Sequence, residues 1–215
     1  MSMVKEELGL RERKKLRTKN ALVDAALELF FSKGFEATTV EEIAAAVEIS
    51  PRTFFRYFAG KEDVALSQFA ELDEFCIAAL AQRPADEPPV AATRTAYLAM
   101  FDHIAAFDGG PARYSATHRL ISQTPTLFAR WLSTSAVSER RLAEVIATRQ
   151  GVSAAEDIRC RLLIRVLCAS ARLGMEVACQ RGYSTLDELR AQVIESMDLG
   201  IAGLPAAWSS SGERW

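Results

Sequence analysis

Between Pro51 and Lys61 the chain gathers Arg52, Thr53, Arg56, Tyr57 and Lys61, with Phe55 among them. These are side chains for gripping an ordered anion. A guanidinium fork fits guanine N7 and O6, so Arg52 is a candidate for reading a base edge. Thr53 and Tyr57 carry hydroxyls suited to phosphate oxygens, and Pro51, Phe55 and Arg56 complete the outward face of the segment. Catalysis would need other residues. The sequence has no GxSxG, no P-loop and no HExxH, and only two histidines, His103 and His118. The chemistry on offer is recognition of a duplex nucleic acid.

A reader of the major groove must be held by a rigid support, and the flanking residues describe one. Leu22, Val23, Ala26, Leu29 and Phe30 recur at three- and four-residue steps, predicting a helix from about Leu10 to Lys33, with Gly34 as its stop. Thr39 with Glu42 three residues on has capping-box spacing for a second helix. Ser50 caps a third with Pro51 in its first turn, and Gly60 ends it. Ile43, Ala44 and Val47 are expected to face Phe30 and Phe35, with Ile49, Phe54 and Phe58 closing the core. Ala44, Ala45 and Ala46 permit the close approach of a helix-turn-helix. Lys61 opens the next helix, where free N–H groups favour an anion.

The formal net charge of −2 conceals an asymmetry: residues 1–20 hold seven Lys/Arg against three acids, and residues 62–215 hold fifteen against nineteen. All six lysines lie at or before Lys61. A basic head, with Lys14, Lys15 and Arg17 at its centre, suits contact with a polyanion at one end only. No apolar run is long enough to span a membrane and no signal-peptide core precedes the basic segment, so the expectation is a cytoplasmic protein with no membrane partner. Cys76, Cys160, Cys168 and Cys179 lack metal-ligand spacing and are expected to be buried free thiols. No metal site and no cofactor are expected.

Helical periodicity continues after a breaker cluster at Arg83–Pro89. The fourth helix spans about Lys61 to Gln82, and five more are expected over about 89–107, 111–122, 125–150, 153–181 and 184–203. The fold class is all-α, with about nine helices: a three-helix helix-turn-helix DNA-binding domain followed by a helical bundle. The expected divisions are 1–65 for the basic arm and helix-turn-helix, 66–205 for ligand binding and dimerisation, and 206–215 for a disordered tail.

Residues Ala21 to Leu66 resemble the DNA-binding domain of the TetR family of transcriptional regulators. The carriers are ALVDAALELFFSKGFEATTVEEIA and ISPRTFFRYFAGKEDV. The resemblance implies a nine-helix subunit, a homodimer formed by the last two helices, and a C-terminal cavity whose small-molecule effector releases a repressor from a palindromic DNA operator. By position it implies DNA contacts at Thr39, Arg52, Thr53, Tyr57 and Lys61; with the residues of the basic arm and the outward face, the candidate DNA-binding set is Lys15, Arg17, Thr38, Thr39, Pro51, Arg52, Thr53, Phe55, Arg56, Tyr57 and Lys61. Two residues depart from the pattern. Glu48 stands where a turn glycine is usual, at a cost of ~1 kcal/mol if its φ is positive. Phe55 replaces a common tyrosine and lacks its hydroxyl.

The rear of the chain more distantly resembles the acyl-CoA-like ligand-binding class of that family, through the Pro-rich linker and HRLISQTPTLFARWL. Tyr97, Phe101, Ile104, Tyr114, His118, Phe128, Trp131, Leu163 and Leu167 are its candidate effector pocket, and equally candidates for a filled core. Arg113, Arg119 and Arg130 around His118 offer an anchor for an acidic group or a solvated edge. Val166, Ser170, Leu173, Gly174 and Val177, with Val193, Ile194 and Met197, form two apolar stripes expected to pair across a two-fold axis. Two alternatives remain open: a helical enzyme, or a scaffold protein, with an incidental helix-turn-helix-like hairpin.

Overall fold

A computed structural model describes residues 9–106 and 110–203, and all its regular elements are helices. In chain order they are α1 (Leu10–Lys33), α2 (Val40–Ala46), α3 (Pro51–Phe54), α4 (Lys61–Ala81), α5 (Pro89–Ala105), α6 (Gly110–Gln123), α7 (Pro125–Gln150), α8 (Ile158–Arg181) and α9 (Leu186–Ala202). The expected tail at 206–215 lies outside the described residues.

Two expected boundaries shift, for local reasons. α3 ends at Phe54, not at Gly60. Beyond it the N–H groups of Arg56 and Tyr57 turn to the carbonyls of Thr53 and Phe54, three residues back, tightening the chain so that Phe54 and Phe58 both reach the core. α8 begins at Ile158 rather than 153 because Asp157 caps it, its carboxylate accepting the Arg159 N–H at 2.9 Å. The Arg159 guanidinium holds that carboxyl down at about 2, below its ordinary range.

The described chain divides into two compact units. The first comprises the residues up to Glu71 with Ser115–Ser133; the second comprises Leu72–Tyr114 with the residues from Thr134. The α6–α7 corner thus packs in the same unit as α1–α3.

In the first unit, Leu22, Val23, Ala26, Leu27 and Phe30 of α1 are buried at the expected helical spacing. Ile43, Ala44, Phe54 and Phe58 close this core, and the Phe30 and Phe35 rings lie 5.0 Å apart. In the second unit, Leu80, Ala92, Ala96, Leu142, Ile146, Cys160 and Ile164 form the centre. α8 and α9 make the closest helix pair there. A Cβ on Gly174 would stand 2.7 Å from the Val193 Cα, an approach only glycine allows.

That packing corrects the reading of the two stripes. Gly174, Val193 and Met197 are buried within one chain, and Val166 and Ser170 face Gly200 of α9. These residues join α8 to α9. Leu173 is exposed, and Val177 and Ile194 are half-buried. Cys76, Cys160 and Cys168 are buried free thiols, whereas Cys179 is half-buried. Burial pushes the Cys76 and Cys168 thiols up to about 12, far from the thiolate form a reactive cysteine needs.

Candidate nucleic-acid interface

The reader is assembled from local signals. The Thr39 hydroxyl accepts the Glu42 N–H at 3.2 Å, and the Glu42 carboxylate accepts the Thr39 N–H at 2.9 Å, completing the capping box. Lys33 pairs with the same carboxylate, and it is this ammonium, more than the backbone contact, that lowers the Glu42 carboxyl from its ordinary value. α2 ends in a Schellman turn: the Glu48 N–H meets the Ala45 carbonyl and the Ile49 N–H meets the Ala44 carbonyl, both at 3.0 Å. This places Glu48 at φ +56°, the left-handed region that glycine fills without strain. The Ser50 hydroxyl then accepts the Thr53 N–H at 3.1 Å and starts α3.

Pro51, Arg52, Phe55 and Arg56 are exposed on or just after α3, with Thr53 and Tyr57 half-buried beside them. Thr39, Lys15 and Arg17 are exposed as well. Phe55 stands edge-on to the buried Phe54 ring at 5.5 Å, which fixes its outward direction. The first turns of α1 and the α3 segment bound a groove of about 790 Å3. Arg11, Lys14, Lys15 and Arg56 line it, with Glu12 as its acid and Thr18, Thr53 and Tyr57 supplying hydroxyls. Four cations against one carboxylate make it an attractive channel for a phosphate backbone. Arg11 was not among the sequence candidates, since only the fold brings it opposite α3.

Two expected contacts turn inward. Thr38 is buried, and its hydroxyl donates to the Gly34 carbonyl at 2.8 Å, so it cannot face DNA. Lys61 Nζ donates to the carbonyls of Phe35, Glu36 and Thr38 at 2.8, 3.2 and 3.0 Å, and lies 4.5 Å from the Phe35 ring centroid. All three ammonium protons are engaged, so Lys61 braces the loop before α2 instead of holding phosphate.

The described residues thus place a capped, cation-flanked helix-turn-helix on one end of an all-helical chain. Residues 22–67 match the profile of bacterial regulatory proteins of the tetR family, and residues 87–202 match that of the MftR C-terminal domain. The chain belongs to the TetR family of transcriptional regulators. The HTH-type transcriptional regulator TcmR of Streptomyces glaucescens is 46% identical over 163 residues, covering 74% of this chain and 71% of that one. The regulator MftR of Mycobacterium tuberculosis is 30% identical over 141 residues, covering 65% and 69%. Among solved structures, SmeT, the repressor of a Stenotrophomonas maltophilia multidrug efflux pump, aligns with a TM-score of 0.57 at 16% identity, covering 86% of this chain and 88% of that one. The fatty acid degradation regulator FadR of Bacillus halodurans aligns at 0.56 and 20% identity, covering 87% and 96%. These two likenesses establish the fold alone.

The candidate effector residues of this regulator fall in both units. In the first, the rings of His118 and Trp131 meet edge-on at 6.0 Å, Phe69 packs on Trp131 at 5.8 Å, and Phe128 lies 5.8 Å from Trp131. Burial, and secondarily Arg119, depresses the His118 imidazole to about 4, so it is neutral at pH 7. The neighbouring Thr117 hydroxyl is buried with no hydrogen-bond partner among the described residues. Arg130 donates to the Asp63 carboxylate at 3.1 Å.

In the second unit, Phe101, Ile104, Tyr114 and Leu167 are buried and Tyr97 and Leu163 half-buried. The Tyr114 hydroxyl donates to the Met175 sulfur at 3.2 Å. His103 stacks on Phe75 at 4.3 Å. A polar seam joins this unit that the sequence reading missed. Ser138 donates to Asp73 at 2.6 Å and Arg172 pairs with Glu139 at 2.7 Å. Burial raises the Asp73 carboxyl to about 6. Asp73 sits in the run Glu71-Leu72-Asp73-Glu74, which reads as an ordinary solvated acidic face, and only packing distinguishes it.

Proposed function

We infer that this TetR-family regulator is a ligand-responsive repressor that grips a palindromic operator as a homodimer and works in the cytoplasm. The groove lined by Arg11, Lys14, Lys15 and Arg56 carries the reading, because it sets a cationic channel beside the exposed start of α3. In this account Arg52 reads a base edge, Thr39, Thr53 and Tyr57 approach phosphates, and Lys15 and Arg17 continue the charged path along α1. Dimerisation uses Leu173 with Ile158 and Leu162 of α8 and Ile201 of α9, which are 55, 66, 57 and 41% exposed. Two readers held about 34–36 Å apart then meet successive turns of one duplex face.

The effector is a small lipophilic or acyl-CoA-like molecule. Apolar rings around a neutral imidazole, with the unpartnered Thr117 hydroxyl one residue away on α6, support a largely apolar ligand with a hydrogen-bonding group. Residues from about 66 to 205 form the effector-binding and dimerisation part of the chain. The test is selection of random duplex DNA on the purified protein. Enrichment of a two-fold symmetric site is the expected result; enrichment of nothing at low salt would return the weight to an enzyme or scaffold.

A further inference from the structure

The α6–α7 corner shares a compact unit with the reader, and two polar contacts of α7 fasten it there. Arg130 Nη2 donates to Asp63 Oδ1 at 3.1 Å, and the other oxygen of that carboxylate accepts the Ala59 N–H at 3.2 Å. One carboxylate therefore joins α7 to the turn that leads from α3 into α4. Thr126, four residues earlier on α7, donates to Glu36 at 3.3 Å, and Glu36 lies in the α1–α2 loop whose carbonyl Lys61 also holds. α7 thus touches both loops that flank the helix-turn-helix. The residue next to Arg130 is the buried Trp131, seated against Phe69 and His118.

We propose that Arg130 is a positioning residue for DNA binding, which orders the α3–α4 turn through Asp63 and so sets the aim of the reader. The inference rests on the DNA-binding reading above. Ordering a binding element in advance lowers the entropy lost on association, so loosening it weakens binding without removing any contact to DNA.

The experiment uses the full-length protein and the duplex it enriches from a random pool. Arg130→Gln should weaken binding about fivefold, the scale of one exposed ion pair. Arg130→Lys, which can still meet the carboxylate, should restore it to within about twofold. The double variant Asp63→Asn/Arg130→Gln should bind no more weakly than Asp63→Asn alone. Additive losses, with a salt slope flattened by about one unit in Arg130→Gln, would make Arg130 a phosphate contact and overturn the proposal. Unchanged or tighter binding by Arg130→Gln would overturn it as well. If the wild-type chain enriches no duplex, the DNA-binding reading falls and takes this inference with it; if it does, only the variants decide.

Discussion

The reader corner and the α8–α9 pair are both built from helices, yet they place their important residues in opposite ways. Around α2 and α3 the critical groups are consecutive and outward: Ser50, Pro51, Arg52 and Thr53 cap, start and display the reader within one turn. Along α8 the critical residue is Gly174, whose importance lies wholly in the Val193 backbone it meets on α9. The first region works by what it leaves uncovered, the second by what it hides. Surface chemistry can be read from neighbours in sequence, whereas close packing needs the partner helix.

Gly174→Leu breaks the hidden side of that comparison. A side chain there must push α9 away, and overpacking of this kind costs ~3 kcal/mol or more. Chemical denaturation should show the loss even in dilute protein. A fully stable Gly174→Leu chain that merely loses its partner would return Gly174 to the dimer surface. Leu173→Ala, one residue away and exposed, should leave stability nearly unchanged while lowering the sedimentation mass.

Protonation probes the interior by another route. The His118 imidazole, held near 4 against an ordinary 6.5, contributes stability that is present above pH 6.5 and lost as pH falls toward 4. The span amounts to roughly 3 kcal/mol. Asp73 slopes the other way, because its carboxyl is raised to about 6: its contribution is full below pH 3.8 and lost as pH rises through 6. His118→Gln should therefore remove the acid-side loss and leave a curve that declines from about pH 4 to pH 6. An unaltered pH–stability profile would show that His118 is solvated.

On the outward side, Arg52→Ala should cost ~1–3 kcal/mol of specific binding and relax preference at one base position. Loss without relaxed specificity would demote Arg52 to a backbone contact. The smallest effect is at the turn. Glu48→Gly should stabilise the chain by ~1 kcal/mol, since the residue already holds positive φ. Destabilisation would mean that the Glu48 side chain makes an interaction worth more than the strain.

The same contrast explains what was legible beforehand. Among the described residues the helices follow from periodicity, and the ends of α1, α2 and α3 from Gly34, Thr39 and Ser50, which act over four residues or fewer. The positive φ at Glu48 was visible as a misplaced residue in a turn. Thr38 and Lys61 were misjudged because a polar side chain beside an interface looks outward until its acceptors are seen, here the carbonyls of Gly34 and of Phe35, Glu36 and Thr38. Arg11, Asp63 and Asp73 gained their meaning from residues far along the chain. The α8 and α9 stripes were correctly apolar, but periodicity does not tell a helix which neighbour it will meet.

In the proposed function the groove between α1 and α3 carries a phosphate backbone. The direct test is the salt dependence of affinity for a selected duplex, compared between the wild type and Lys14→Gln/Arg56→Gln. Each lost phosphate contact lowers the slope of log K against log salt by ~0.9, so the double variant should lose nearly two units. An unchanged slope would contradict the account and place the DNA elsewhere on the molecule.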